Sequence, residues 1–127
     1  MKLHQEQAGA LNTVTAYGNG YIEVNAERHA GALKITPEGV VRSWSVTTVE
    51  AFGPEAVSEL LAEQPEIILL GTGCEQHFPA MATLAELYRS RTGFEVMSTP
   101  AACRTYNILM AEGRQVLAAL MPLTADP

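Results

Sequence analysis

The second half of the chain alternates short apolar runs with amphipathic segments, and this alternation restricts the fold more than any other feature. The runs are Ile67–Leu70, Phe94–Met97 and Val116–Leu120. A short run that is wholly apolar, as Ile67–Leu70 is, is typical of a strand covered on both faces. Because amphipathic segments separate the runs, the order β-α-β-α-β predicts a right-handed parallel unit with helices on its faces.

Segments with apolar residues every three or four positions predict helices between these strands. Each segment begins beside a proline, which is favoured in the first turn of a helix, and the third ends at a glycine, which accepts the left-handed conformation. We interpret the glutamates around the first helix as a solvated acidic face. The predicted buried face of the second helix comprises Met81, Leu84, Leu87 and Tyr88. The predicted segments run from Gly53 to Gln64, from Pro79 to Gly93 and from Ser98 to Gly113.

The first half is rich in strand signals. Residues 21–24 and 32–35 alternate partly between apolar and polar residues, as half-buried strands do. A turn at 36–39 and a return strand at 40–46 make residues 32–46 a hairpin, which adds an antiparallel part to the sheet. We therefore predict an α/β fold, a three-layer single domain whose central mixed sheet combines a parallel βαβαβ second half with an antiparallel β-rich first half.

The size of the chain agrees with one domain. It has 127 residues, 47% of them hydrophobic and 17% charged, and the scaling of surface with mass gives about two thirds of its surface buried on folding. Both ends are polar or proline-containing and unpatterned, as chain ends often are. We therefore place the domain at residues 14–122, between a flexible N-terminal tail at 1–13 and a C-terminal tail at 123–127.

Charge and cysteine content exclude several classes of partner. A net charge of −6 does not supply the dense basic face that nucleic acid or anionic lipid requires. No run reaches the roughly 18 apolar residues of a membrane-spanning helix, and the N-terminus has no signal-peptide pattern. The two cysteines are too few for a disulfide scaffold and form no zinc motif. These features predict a cytoplasmic protein, monomeric or homodimeric, without nucleic acid, membrane insertion, metal or cofactor.

Two loops occupy the position where open α/β sheets bind ligands, beyond the carboxyl ends of parallel strands. They are Gly71–His77 and Ser98–Cys103, and they are neighbours if their strands pair. Glycines expose backbone N–H groups and a helix N-terminus attracts negative charge, so the loops could hold a small anion. The alternative is that the glycines only release the chain from a buried strand and that the helix is only capped. The candidate ligand-binding residues are Gly71, Thr72, Gly73, Ser98, Thr99, Cys103, Arg104 and Asn107, and we predict no catalytic or metal-binding residue.

Cys103 lies in the first turn of the third predicted helix, where the helix dipole and Arg104 would lower the pKa of its thiol. Cys74 in the facing loop could form a reversible disulfide with it if the two Cα atoms came within about 7 Å. His77 could serve as a base for either thiol. The alternative, which we favour, is that Cys103 is a small core residue and His77 a solvated loop residue.

Thr105 and Asn107 are unusual inside a helix, because both residue types have weak helix propensity. Arg104 and Asn107 lie three positions apart and could hydrogen-bond a ligand or the backbone of a partner. The alternative, which we favour, is that Asn107 satisfies the polar backbone of the Gly71–Gly73 loop from below. Trp44, at the end of the predicted hairpin, is either a core or a contact residue.

Several short motifs, taken in order, resemble one known family. They are Tyr17–Tyr21, Gly31–Leu33, Pro37–Val40 followed by Trp44, Gly71–Gly73, Ala101–Asn107, Glu112–Arg114 and Ala118–Pro122. Over about residues 14–122 the chain resembles the small α/β domains of largely uncharacterised bacterial and archaeal proteins, whose eukaryotic relative is a mitochondrial respiratory complex I assembly factor. The resemblance implies a three-layer fold and, for the eukaryotic member, a non-enzymatic role in assembling the peripheral arm of complex I with other assembly factors. It implies no catalytic residue and no cofactor.

We therefore predict a non-enzymatic protein-binding or assembly-factor-like domain that supports respiratory complex I or another membrane-associated complex. Its expected partners are complex I subunits or assembly factors, which would place it at the inner membrane only through them. The first twenty residues contain no arginine and include Glu6, which fits a bacterial cytoplasmic member rather than a mitochondrial presequence. An exposed apolar patch near Trp44 or the Gly71–Gly73 loop would favour this function. The alternative is a small-anion or ligand-binding domain, or a minor enzyme, that uses Gly71–Gly73 and Ser98–Arg104.

Overall fold

The computed structural model describes residues 11–124. Within this range the chain forms eight strands, three α-helices and a short 3-10 helix at Val49–Ala51. None of the helices in this range is long and apolar enough to cross a bilayer. The strands are β1 (Val14–Gly18), β2 (Tyr21–Val24), β3 (Glu27–Ala30), β4 (Leu33–Ile35), β5 (Arg42–Ser43), β6 (Ile67–Gly71), β7 (Gly93–Met97) and β8 (Val116–Leu120). The helices are α1 (Pro54–Leu61), α2 (Met81–Arg89) and α3 (Thr99–Ala111).

The central sheet has five strands in the order β5-β4-β8-β6-β7. β6 lies between β8 and β7 and is parallel to both, in a register that pairs Ile67 with Val116 on one side and with Gly93 on the other. β4 is antiparallel to β8 and links the parallel unit to the first half of the chain. The predicted mixed sheet with a parallel βαβαβ unit is confirmed.

The β-rich first half divides between two sheets. β1, β2 and β3 form a three-stranded antiparallel sheet of their own, and only β4 and β5 join the central sheet. The sequence predicted β2 but did not delimit β1 or β3. One reason is the turn between β2 and β3, which Asn25 and Ala26 form at φ 54° and 68°, because alanine is uncommon in that conformation and gives no turn signal.

The hairpin predicted at residues 32–46 is present but shorter than predicted. β5 has two residues, each paired antiparallel with β4, so the predicted strand at 40–46 was too long. Directly after β5, Trp44 turns into the core, where it is 4% exposed and its ring packs edge-on against Phe52 with centroids 6.1 Å apart. Trp44 is therefore a core residue and not a surface contact.

Two clusters of buried residues cover the two faces of the central sheet. On one face, α3 packs with Leu69 and Leu120, and the small sheet adds Ile22 to the same cluster. On the other face, α1 and α2 pack over Ile68 and Leu70. The layers are thus α1 with α2, then the central sheet, then α3 with the small sheet, which confirms the three-layer prediction.

The buried face of α2 differs from the one predicted from its spacing. Leu87 is fully buried, but Met81 is 81% exposed and Tyr88 is 65% exposed. Thr83 occupies the buried face instead. Residues 81 and 88 form one row along the helix and residues 83 and 87 form another, so spacing alone does not say which row faces the sheet. The helix prediction is confirmed, whereas the assignment of Met81 and Tyr88 to the core is wrong.

The tails predicted at 1–13 and 123–127 lie mostly outside the described residues. In the described part, Asn12 is buried and its side-chain amide donates to the carbonyls of Thr36 at 2.8 Å and Gly39 at 2.7 Å. The domain bounds at 14–122 stay a prediction.

Candidate functional site

The two loops predicted to form a site are neighbours, as their strand pairing requires. β6 and β7 align so that Gly71 lies beside Met97. The backbone N–H of Thr72 donates to the Met97 carbonyl at 2.9 Å, and the N–H of Thr99 donates to the Gly73 carbonyl at 2.7 Å. The loop after β6 and the first turn of α3 therefore form one hydrogen-bonded unit.

The hydroxyl of Thr99 joins this unit to the end of β8. Thr99 is fully buried, and its Oγ1 accepts from the N–H of Gly73 at 2.8 Å while donating to the carbonyl of Met121 at 2.8 Å. Gly71 permits this close approach, because a Cβ at that position would lie 2.9 Å from the Thr99 Cα. Gly71 and Thr99 thus hold the ends of β6 and β8 and the start of α3 together.

The N-terminus of α3 has its backbone donors bonded within the chain. Ser98 caps the helix, since its Oγ accepts from the N–H of Ala101 at 3.3 Å and its carbonyl accepts from the N–H of Ala102 at 2.9 Å. Pro100 has no N–H to offer. A small anion at this position would therefore bind only by displacing internal hydrogen bonds. The ligand-binding role of the eight candidate residues stays a prediction.

Thr72 organises the loop that follows β6. Its Oγ1 donates to the Glu75 carbonyl at 2.7 Å and accepts from the backbone N–H of His77 at 2.9 Å. Gly73, the next residue, has φ 96°, a conformation that favours glycine. The loop is closed on itself, and it leaves the side chain of His77 exposed.

The two cysteines lie in opposite environments. Cys103 is 1% exposed in the cluster under α3, whereas Cys74 is exposed and its Sγ donates to the Thr124 carbonyl at 3.2 Å. Burial raises the pKa of the Cys103 thiol from 9.0 to about 12, and the charge of Arg104 opposes this shift only in part. The activated-thiolate hypothesis for Cys103 is therefore wrong, because desolvation outweighs Arg104. Both thiols are free, as the core interpretation expects.

The polar residues inside α3 fasten this helix to the N-terminal segment. Asn107 accepts from the N–H of Val14 at 3.0 Å through Oδ1 and donates to the carbonyl of the same residue at 2.9 Å through Nδ2. Tyr106 is fully buried and donates to the Asn12 carbonyl at 2.7 Å. Asn107 thus has the structural role that we favoured, but its predicted target was wrong. It binds β1, because two helical turns carry it away from the Gly71–Gly73 loop.

Arg104 is the predicted site residue that remains available at the surface. Its side chain is exposed, and Nη1 donates to the hydroxyl of Tyr17 at 3.2 Å. Tyr17 lies on β1, so this bond also connects α3 with the small sheet. Arg104 therefore faces the small sheet rather than the loop after β6.

A cleft of about 410 Å³ opens at the carboxyl ends of β6 and β8. Of the predicted site residues, only Thr72 and Gly73 line it. The sequence analysis missed the opposite wall. Open α/β sheets bind ligands beyond the carboxyl ends of their parallel strands, and applying this rule to β8 would have found the residues that follow it. No sequence pattern marks residues 47–50 as part of a site. The lining residues are Thr47–Glu50, Thr72–Glu75, His77, Pro122 and Thr124.

The chemistry of this cleft is that of a polar surface. Glu50 and Glu75 supply carboxylates, and threonines supply hydroxyls. In the part of the chain that the structure describes, no three His, Cys, Asp or Glu side chains group closely enough to hold a metal ion. The arrangement can hydrogen-bond a small polar ligand. Cys74 and His77 also line the cleft, and the Cys74 thiol donates there to the Thr124 carbonyl.

An exposed apolar surface lies next to the cleft along the chain. Phe78 follows the cleft residue His77 and is 63% exposed. Met81 and Tyr88 are seven positions apart, so they share one side of α2. Phe78, Met81 and Tyr88 are here called the α2 surface. The ring of Tyr88 extends this surface toward β7, because it contacts the Phe94 ring edge-on with centroids 6.5 Å apart.

The fold and these surfaces define a class of protein: a small three-layer α/β domain whose polar motifs fasten its own segments together. The chain belongs to the family of proteins of unknown function DUF498/DUF598, whose sequence profile matches residues 14–121. The resemblance found in the sequence is thereby confirmed.

The relatives of the chain include proteins named for complex assembly. It is 30% identical over 124 residues to the zebrafish (Danio rerio) protein "NADH dehydrogenase [ubiquinone] 1 alpha subcomplex assembly factor 3", covering 96% of this chain and 71% of that one. It is 36% identical over 117 residues to an uncharacterised protein of Rhodobacter capsulatus, covering 91% of this chain and 88% of that one. The relatives that carry this assembly-factor name are thus about 30% identical to the chain.

A solved structure shares the fold. The crystal structure of a structural-genomics protein from Bordetella parapertussis superposes with a TM-score of 0.82 at 47% identity, covering 89% of this chain and 97% of that one. The architecture described above is therefore that of this relative as well.

Proposed function

We propose that this chain is a non-enzymatic protein-binding domain that supports the assembly of respiratory complex I, the NADH–quinone oxidoreductase. The observation that carries the proposal is the similarity, along 96% of the chain, to a relative named as an assembly factor of that enzyme. Its partners on this proposal are complex I subunits or other assembly factors, and its association with the inner membrane runs through them.

The α2 surface supports this proposal. Exposed apolar residues scattered singly are ordinary in proteins, whereas several on one element point to an interaction site. Phe78, Met81 and Tyr88 are all more than half exposed and lie on or directly before one helix. A protein partner that covered them would remove apolar surface from water, which is the main driving force of association.

The internal bonding of the polar motifs also supports a binding role over catalysis. Ser98, Thr99 and Asn107 bond to groups of the same chain, and the Cys103 thiol is buried with a raised pKa. These residues are needed to build the domain, so they are not free to position a substrate. The α2 surface, by contrast, presents exposed apolar side chains to a partner.

The test is affinity capture of the tagged full chain from its native host at natural expression level, after gentle solubilisation of membranes. Mass spectrometry would quantify the peripheral-arm subunits of complex I. The variant Phe78→Ser/Met81→Ser should lose them. The matched control is Val40→Ser/Ile108→Ser, which removes two apolar side chains that are 74% and 59% exposed elsewhere.

Enrichment of peripheral-arm subunits with the wild type and the control, and loss with the α2-surface variant, is the expected result. A wild-type chain that captures no complex I subunit, with the known subunits detected in the input, would contradict the assembly role.

The second candidate is a ligand-binding domain that uses the cleft at the ends of β6 and β8. The observation that favours it is the position of a 410 Å³ polar cleft where open α/β sheets bind ligands. Native mass spectrometry of the chain purified from its host would test it. A stoichiometric small molecule that is lost on Thr72→Val would favour this candidate, and an unliganded mass would count against it.

A further inference from the structure

The outer edge of β7 is an open strand edge. β7 ends the central sheet, and within residues 11–124 its only strand partner is β6. Gly93 donates to the Glu66 carbonyl and Met97 accepts from Thr72, so these residues direct their backbone groups toward β6. Because backbone direction alternates along a strand, Phe94 and Val96 direct theirs outward. Among residues 11–124, one side chain bonds to this edge: Gln76 donates to the Val96 carbonyl at 2.9 Å.

The other strand edges are shorter, charged or covered. β5 has two residues. β3 begins with the charged pair Glu27–Arg28, and charges on an edge discourage pairing. On β1, Asn107 bonds both the N–H and the carbonyl of Val14, as a neighbouring strand would. β7 is therefore the edge in the described chain that is best suited to accept an added strand.

The two faces of β7 differ in chemistry. Phe94 and Val96 are half-buried on the face covered by α1 and α2, and Tyr88 extends that apolar side. Glu95 is exposed on the opposite face, beside Leu69 in the register with β6, and forms no ion pair within residues 11–124. A strand that pairs here would meet apolar side chains on one face and an uncompensated carboxylate on the other.

We propose that β7 receives an extended segment of a partner protein as a sixth strand, and that this segment carries apolar residues on the α2 side and a lysine or arginine opposite Glu95. Backbone hydrogen bonds to Phe94 and Val96 supply the pairing, as in other cases of strand addition. The cross-strand pair with Glu95 supplies selectivity for a basic segment. This inference rests on the proposed protein-binding function and gives the mode of binding.

A second copy of this chain is a poor occupant for electrostatic reasons. In an antiparallel β7–β7 pair that used both Phe94 and Val96, Phe94 of one copy would face Val96 of the second copy across the two-fold axis. Glu95 would then face Glu95 of the second copy in a closely spaced, non-hydrogen-bonded pair. Like charges directly opposite are destabilising, and each chain carries a net charge of −6. Charge complementarity therefore favours a different, basic segment.

The first test uses the full chain and a defined probe, the blocked peptide acetyl-Val-Lys-Val-Lys-Val-amide, followed by ¹H–¹⁵N NMR. The expected result is binding at millimolar or lower peptide concentration, with the largest amide shifts at Phe94 and Val96 and smaller ones at Glu95. The same peptide with every backbone nitrogen methylated keeps its charge but loses its donors, so it should bind at least about tenfold more weakly.

The charge pair has its own control. Glu95→Lys should weaken the lysine peptide about fivefold and improve binding of acetyl-Val-Glu-Val-Glu-Val-amide. Glu27→Lys makes the same charge change on β3. It should not alter the binding of either peptide, measured by the shifts of the β7 amides. Equal binding of the methylated peptide, or shifts that avoid Phe94 and Val96, would overturn the strand-addition proposal. Sedimentation that shows a stable dimer, dissolved by Val96→Pro, would overturn it in favour of a second copy.

The capture experiment separates this inference from the proposed function. Both proposals are supported if the wild type and Glu27→Lys capture complex I subunits and the amount captured by Glu95→Lys and Val96→Pro is at least about tenfold lower. The thermal unfolding of Glu95→Lys should be unchanged. If the edge variants capture subunits as well as the wild type does, the edge proposal is wrong and the assembly role stands. If the wild type captures none, the assembly role fails, and the peptide titration alone decides whether the edge accepts a strand.

Discussion

Helices α2 and α3 cover opposite faces of the same sheet, but they use their side chains in opposite ways. α3 buries five residues and sends its polar side chains to other segments: Thr99 to the ends of β6 and β8, Tyr106 to Asn12, and Asn107 to β1. α2 buries Thr83 and Leu87 and leaves apolar residues exposed. The unusual composition of α3 therefore has a structural role, whereas α2, whose composition is ordinary for a helix, carries exposed apolar surface.

This difference shows that a residue with weak helix propensity can have a structural role, whereas a residue that fits a helix well can lie at an exposed surface. Threonine and asparagine inside α3 weaken the helix locally, and their long-range hydrogen bonds offset that cost. Methionine and tyrosine on α2 fit a helix well, so nothing in the sequence marks them as exposed. Substitutions of the α3 side chains that bond other segments should therefore alter stability, and substitutions on the α2 surface should alter binding.

The largest expected effect is that of Thr99→Val on α3. The change keeps the shape of the side chain but removes the acceptor for the Gly73 N–H and the donor to the Met121 carbonyl, both in buried surroundings. Leaving two buried polar groups unbonded should lower the free energy of unfolding by about 2–4 kcal/mol. Urea unfolding followed by circular dichroism measures it.

The matched control is Thr83→Val, the same change at a buried position of α2 whose hydroxyl makes no hydrogen bond within the described residues. It should shift the free energy of unfolding by less than about 1 kcal/mol. Equal losses at the two positions would remove the distinction between the helices.

The second effect is that of Asn107→Ala, which frees β1 from α3. Both hydrogen bonds to Val14 are lost, and because the site is partly exposed, water can replace part of them. We expect a loss of about 1–2 kcal/mol, with faster amide hydrogen exchange in β1 and β2 than in β6 and β8. Uniformly faster exchange in both sheets would show that the asparagine does not act through the small sheet.

A third, smaller effect depends on pH and arises from the buried acids of α3. Burial raises the pKa of Cys103 from 9.0 to about 12 and that of Tyr106 above its ordinary 10.0. The native state therefore keeps protons that the unfolded chain releases, so stability falls as pH rises above 9. Between pH 9 and 10 the Cys103 thiol should account for a loss of about 1 kcal/mol.

Cys103→Ala tests this assignment through the slope of stability against pH rather than through stability itself. The decline between pH 9 and 10 should become much shallower in the variant, while the decline from Tyr106, which is steeper above pH 10, remains. In the native protein at pH 8, a thiol reagent should modify Cys74 and spare Cys103. An unchanged slope, or rapid native modification of Cys103, would contradict the buried state of this thiol.

The same contrast explains how much of the molecule could be read from sequence. The parallel unit was predictable because Ile67–Leu70 and Val116–Leu120 are buried on both faces and therefore apolar throughout. The small sheet was harder, since the Asn25–Ala26 turn carries no glycine. Helix positions were predictable from periodicity, but the side of α2 that faces the sheet was not, because that choice depends on packing partners distant in sequence.

The relative position of the two candidate loops was predictable in part, whereas their ligand-binding role stays a prediction. Consecutive strands of a βαβ unit often pair, so the meeting of Gly71–Gly73 with the start of α3 could be predicted on the condition that β6 and β7 pair. Their mutual hydrogen bonds could not, because the identity of a partner depends on distances of a few tenths of an ångström. For the same reason the sequence left Lys34 unmarked, although its Nζ lies 2.5 Å from the Glu59 carboxylate and binds the face of α1 that we had interpreted as solvated.

The smallest effect on stability, and the sharpest test of the comparison, is that of Met81→Ser on α2. Its side chain is 81% exposed, so the free energy of unfolding should change by no more than about 0.5 kcal/mol. Ile108→Ser on α3, where the side chain is 59% exposed, should be equally neutral in urea unfolding. The two variants should differ only in binding, where Met81→Ser lowers the capture of partner subunits and Ile108→Ser does not.

If both reduced capture equally, exposed apolar area anywhere on the domain would suffice, and α2 would have no special role. If Met81→Ser destabilised the domain, the residue would belong to the core, and a loss of capture would report unfolding. A neutral stability combined with a selective loss of capture leaves recognition by the α2 surface as the explanation, since the fold that presents it is intact.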